Sequence, residues 1–192
     1  MSAVVTGAVI ADRWVKNSLT RSAVLVAGLV GLTAVSAQIA VPLPFTPVPL
    51  TLQTFAVLAG AAALGAERAV IAQVSYIVLA LAGLPVLAGG ASGVTKVMGA
   101  TGGYLIGFVV ASYLVGKIAE RGATVKVRST VLAYAIGTIV IYTLGALWLA
   151  QFTGKGLVWA IANGVVPFLI GDAIKAIAAG AVLPTAWKLT SK

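Results

Sequence analysis

The chain has 192 residues, of which 60% are hydrophobic and only 9% charged, with a mean hydropathy of +1.09 and a net charge of +9. An ordinary soluble domain carries about 25% charged residues, so this composition describes an integral membrane protein. Cysteine and histidine are both absent, which excludes disulfides, thiolate or imidazole metal centres and histidine-based catalysis.

The long apolar runs lack the alternation of a membrane β-barrel, so they can satisfy their backbone groups in lipid only as helices. Windows of about 20 residues predict six transmembrane helices, over 22–41, 51–66, 69–84, 101–116, 129–150 and 158–186. This is an all-α, six-transmembrane-helix bundle over 22–186, one integral membrane domain with an N-terminal segment 1–21 and a tail 187–192. The first span reads as a retained helix, being too long for a signal peptide and running on into further spans. Within it Ala23, Ala27 and Gly31 recur every fourth residue, a small-residue stripe that lets another helix approach closely.

After the first span comes "VPLPFTPVPLTLQTF", uncharged and carrying Pro42, Pro44, Pro47 and Pro49. Proline fixes φ and lacks an N–H, so this stretch is expected to be extended or turned. Between the third and fourth spans lies "GLPVLAGGASGVTKVMGATGGYLIGF". Its glycines, Gly90 among them, permit close backbone approach to a ligand or a helix. Leu84, Val86, Leu87, Val94, Val97 and Met98 make it too apolar for a solvated linker, so it is expected to cover or line something. Lys96 is its only charge, either a ligand contact or a lysine snorkelling at the interface.

Ten of the 13 basic residues fall in one set of loops: Arg13, Lys16, Arg21, Arg68, Lys117, Arg121, Lys126, Arg128, Lys188 and Lys192. Lys96 and Lys155 occupy the opposite set. The positive-inside rule then places both termini in the cytoplasm of a multi-pass protein of the bacterial plasma membrane. Spread over several loops and not collected with aromatics, these charges do not form a nucleic-acid patch. No phosphate-binding "GxxxxGK[ST]" motif is present, so any coupling to ATP must come from partner proteins.

The last span contains "FLIGDAIKAI", with Asp172 and Lys175 three residues apart on one helix face. A charge at the bilayer centre costs about 2.5–3.5 kcal/mol on insertion scales, so such residues normally mark a substrate or ion pathway. The pair could instead tie two helices together. Pro167 and Gly171 just before it loosen the helix, which suits a binding site better. Gln53, Gln73, Asn163, Tyr76, Tyr104 and Tyr142 are uncharged polar groups in or near spans, able to bond a ligand or a neighbouring helix.

Taken together, "PFTPVPLTLQTFAVLAGAAALG", "GLPVLAGGASG", "GATGGYLIGF" and "GDAIKA" resemble the BioY family, the biotin-binding S component of energy-coupling-factor (ECF) vitamin transporters. The resemblance spans roughly residues 20–186. It implies biotin as substrate, captured from outside beneath capping loops, and a transmembrane coupling protein and ABC-type ATPase subunits as partners. It carries no enzymatic activity, cofactor or metal. The family's Asp and Lys of the last helix correspond to Asp172 and Lys175, expected to bond the ureido N–H groups and carbonyl. Some members place a basic residue directly after "GGY" to meet the biotin carboxylate. Here that position is Leu105, and Lys96 is the best remaining cation. Gln53, Tyr104 and Gly90 complete the expected substrate-binding set, and Ala23, Ala27 and Gly31 the expected docking face. Another vitamin, a proton-coupled secondary transporter and a possible homo-oligomer remain as alternatives.

Overall fold

The computed structural model describes residues 9–14 and 19–190, so Lys16 and Lys192 lie outside the described residues. A short helix α1 (Ile10–Trp14) precedes α2 (Leu19–Gln38), which corresponds to the first predicted span. The proline-rich stretch is extended and turned as expected: β1 (Ala40–Val41) and β2 (Leu50–Thr51) pair antiparallel, with Ala40 opposite Thr51. Helices α3 (Gln53–Leu64) and α4 (Ala66–Leu81) follow, separated by Gly65 alone. That single-residue connection takes φ +86°, a backbone conformation open chiefly to glycine.

The glycine-rich stretch forms a 3-10 turn (Ala88–Gly90) and a one-turn helix α5 (Val94–Val97) before α6 (Gly102–Glu120). Leu87 and Val97 are buried while Val94 and Met98 are exposed, so the loop packs through only some of its apolar side chains. Helix α7 (Val127–Thr153) runs back along α6. Glycines permit that close approach: a Cβ on Gly107 would stand 2.9 Å from the Ile141 Cα.

The sixth predicted span is not one helix. It divides into α8 (Gly156–Gly164), a 3-10 turn (Val166–Phe168) and α9 (Leu169–Thr190). The break falls where Val165 leaves helical geometry, at φ −127° and ψ −59°, ahead of Pro167. Proline lacks the N–H that would continue the ladder. Gly171, expected to loosen the helix as well, stays inside α9.

Among the described residues four segments are long and apolar enough to cross a membrane: Leu19–Gln38, Gly102–Glu120, Val127–Thr153 and Gly156–Leu189. Helices α3 and α4, with 12 and 16 residues, reach only about 18 and 24 Å at 1.5 Å per residue. The outer surface is apolar, with Val24, Ile139, Ile170, Ile174 and Ile177 all more than 60% exposed. Such a surface suits lipid rather than water. The core inside it comprises Val57, Leu58, Tyr76, Val115, Ile141 and Leu149 among others.

The two ends differ. At one, Arg68 at the start of α4 bonds Asp12 of α1 at 2.6 Å, Glu120 at the end of α6 accepts from the Ala66 N–H at 2.9 Å, and Trp187 of α9 bonds Thr124 of the α6–α7 loop at 3.0 Å. These contacts bring the described basic loops to a common end. The β1–β2 hairpin, the glycine-rich loop and the α8–α9 break gather at the other.

Candidate ligand-binding site

At that second end the helices enclose about 760 Å³ of atom-free space, open solvent at its mouth included. The hairpin supplies Val48 to Thr51, and the first turn of α3 supplies Gln53 and Thr54. Leu87, Ala88 and Lys96 come from the glycine-rich loop. Helix α6 contributes Tyr104, Leu105 and Phe108, α7 Ile141 and Tyr142, and the final segment Phe168, Asp172 and Lys175. Apolar and aromatic walls with a few convergent polar groups are the usual makeup of a small-molecule site.

Asp172 is 4% exposed, and its carboxylate is held from three directions. Oδ1 accepts from Lys175 Nζ at 2.6 Å and from the Thr54 hydroxyl at 2.8 Å, while Oδ2 accepts from the Tyr142 hydroxyl at 2.6 Å. Lys175 Nζ also donates to the Thr51 carbonyl at 2.7 Å and to Thr54 Oγ1 at 2.9 Å. Each ion of the buried pair is therefore compensated by the other and by neutral dipoles, as a charge away from water requires. The pair also joins α9 to α3 and α7. It thus lines the cavity and joins helices at once.

Gln53 is 6% exposed and belongs to a chain of bonds that anchors the glycine-rich loop. Its Nε2 donates to Tyr76 Oη at 2.9 Å, and the Tyr76 hydroxyl donates to the Val86 carbonyl at 2.9 Å. Tyr104 presents its ring to the cavity, and its hydroxyl donates to the Gly164 carbonyl at 2.7 Å, bracing α6 against the end of α8. Lys96 stands at the wall on α5, and its side chain makes no hydrogen bond or ion pair among the described residues. Leu105 is buried and lines the same cavity as an apolar residue.

Gly90 is not brought to the cavity wall. Its N–H donates to Gln38 Oε1 at 3.1 Å, and Gln38 Nε2 in turn donates to the Leu87 carbonyl at 3.2 Å, so Gly90 helps pin the loop to α2. Asn163 also stays outside, bonded to the Trp159 carbonyl at 2.9 Å, and Gln73 is buried against Thr33 at 3.3 Å. Sequence reasoning missed Thr51, Thr54 and Gln38. The threonines stand within "PLTLQTF", where small hydroxyls among apolar residues give no signal until α9 is folded against them.

Ala23, Ala27 and Gly31 are exposed on α2, and no atom lies within 4 Å of a Cβ built on Gly31. They line a long groove between α2 and α4, with Val26, Val30 and Ile71 along it and Asp12, Glu67 and Arg68 at the end remote from the cavity.

A membrane-embedded helical bundle that places one buried ion pair in an aromatic-walled cavity is the architecture of a small-molecule binding component, and comparisons with known proteins agree. The model of the BioY family matches residues 6–192. A probable biotin transporter BioY of Pyrococcus horikoshii is 41% identical over 155 residues, covering 81% of this chain and 89% of that protein. The biotin transporter BioY of Thermotoga maritima is 36% identical, covering 79% and 86%. Among solved structures, the S-component for biotin from an ECF-type ABC transporter superposes with a TM-score of 0.77 at 29% identity, covering 88% of this chain and 90% of that one. The chain belongs to the BioY family.

Proposed function

We propose that this chain is the substrate-binding S component of an ECF-type biotin transporter and that its cavity receives biotin. The observation that carries this reading is the Asp172–Lys175 pair facing a cavity whose only unpartnered described cation is Lys96. Biotin offers two N–H donors and one carbonyl on a neutral ring, an apolar bicycle, and a chain ending in a carboxylate. Among the described residues Oδ2 of Asp172 accepts only from Tyr142, and a carboxylate oxygen takes two donors, so it has room for a ureido N–H. The bicycle meets Tyr104, Phe108 and Phe168. Lys96 then serves the carboxylate, in place of the basic residue that Leu105 replaces.

The chain crosses the membrane six times in this reading, with α3 and α4 as a short hairpin of spans and α8 and α9 as one broken span. The basic end faces the cytoplasm together with both termini, and the cavity opens outward beneath the hairpin and the glycine-rich loop. Import is driven by a transmembrane coupling protein and ABC-type ATPase subunits. The coupling protein docks in the α2–α4 groove, against Ala23, Ala27 and Gly31.

Purified protein should bind biotin at one per chain. Lipoate, which shares the valerate tail but has no hydrogen-bonding ring groups, should not displace it, and Asp172→Asn should abolish binding. Equal displacement by lipoate would show that the ion pair does not read the ring.

A further inference from the structure

The Lys175 ammonium has three hydrogens, and all are placed: on Thr51 O at 2.7 Å, on Thr54 Oγ1 at 2.9 Å and on Asp172 Oδ1 at 2.6 Å. No fourth donor exists, so a ligand acceptor can reach Lys175 only by taking the place of one of these. Displacing Asp172 would separate a pair of buried charges, which is the most costly exchange.

The two remaining bonds are not equivalent. The Thr54 hydroxyl accepts from Lys175 while donating to the same Asp172 Oδ1 that Lys175 meets, at 2.8 Å. Lysine, threonine and aspartate thus form a closed circuit in which each bond polarises the next, and opening one edge weakens the other two. The bond from Lys175 to the Thr51 carbonyl closes no circuit. A ligand carbonyl put in its place exchanges one neutral acceptor for another.

We propose that Thr54 is a positioning residue of the site: its hydroxyl holds Asp172 and Lys175 in register while a ligand carbonyl replaces the Thr51 oxygen on Lys175. This inference rests on the binding reading above and deepens it. The circuit selects a neutral head group that carries a carbonyl beside an N–H, with the carbonyl on Lys175 and the N–H on the open side of Asp172 Oδ2. An anionic head would face Asp172, and a cationic one Lys175. Because Thr51 belongs to β2, the exchange also releases the hairpin from α9, so occupancy of the site is passed to the loop that borders its mouth.

The test compares Thr54→Ser, which keeps the hydroxyl, with Thr54→Val, which keeps the shape, using full-length protein in detergent with biotin as the probe. Hydrogen bonds to charged groups are worth enough that Thr54→Val should weaken binding roughly 10- to 100-fold, while Thr54→Ser stays within about threefold of wild type. Wild-type affinity in Thr54→Val, or an equal loss in both variants, would overturn the inference, the second by showing that packing and not the hydroxyl matters. A wild-type protein that binds no biotin would overturn the underlying reading instead. Should Thr54→Val not fold, the biotin-bound structure of the wild type decides: Lys175 should remain on Thr54 and leave Thr51 O. The reverse exchange would refute the proposal.

Discussion

The ion pair can be dissected by a double-mutant cycle on Asp172→Asn and Lys175→Met. In the first variant the ammonium of Lys175, whose side chain is only 12% exposed, loses its counter-charge but keeps Thr51 O and Thr54 Oγ1. In the second the carboxylate keeps its bonds from Thr54 and Tyr142. Each single change leaves one buried charge uncompensated, a fault worth about 3–5 kcal/mol, and the surviving neutral partners place both near the lower figure. Replacing the whole pair by neutral groups is often neutral or stabilising, so the double variant should lie within about 1 kcal/mol of wild type. At about 2–4 °C per kcal/mol for a chain of this size, each single variant should melt roughly 6–12 °C lower, and the double variant should recover most of that loss. Ligand-free thermal unfolding in detergent reads the cycle, and biotin binding is measured on the same samples. All three variants should fail to bind. A double variant as unstable as the sum of the singles would refute the stranded-charge argument, and one that binds like wild type would show the pair to be a strut.

Lys96→Ala should weaken biotin binding about tenfold without changing the melting temperature, since the Lys96 side chain is exposed and has no hydrogen-bond or ion-pair partner among the described residues. Wild-type binding should also weaken with added salt, and that dependence should shrink in the variant, because a charge at an exposed site is screened. Gly107→Ala sets a methyl 2.9 Å from the Ile141 Cα and 3.3 Å from its carbonyl oxygen, where only backbone can yield. It should cost about 1–3 kcal/mol by forcing α6 and α7 apart, measurable as a lower melting temperature. Ala27→Trp fills the α2–α4 groove from an exposed position, so detergent-solubilised biotin binding should persist while energised uptake is lost. Loss of both would indicate misfolding.

The membrane class was readable from composition, because so few charges cannot solubilise so much apolar surface. Element positions were readable for the same reason, each predicted span overlapping observed helix. The extended proline stretch followed from proline's own geometry. The division of the last span was only half visible: Pro167 signalled a disturbance, but whether the helix bends or breaks depends on what packs beside it. Lys96 and Asp172, some 76 residues apart in sequence, converge on one cavity, which no local pattern can express. Gly90 shows the same limit, since its N–H donates to Gln38 Oε1, a partner 52 residues away that no local pattern names.

That Asp172 and Lys175 are buried together follows from the order of residues alone, because their spacing puts them on one face and lipid makes any lone charge there costly. How the pair is satisfied does not follow from that order. Thr54 and Thr51 lie more than a hundred residues away in sequence, and hydrogen bonds depend on distances of about 3 Å and on direction. Such placement arises only when α3, α7 and α9 have packed.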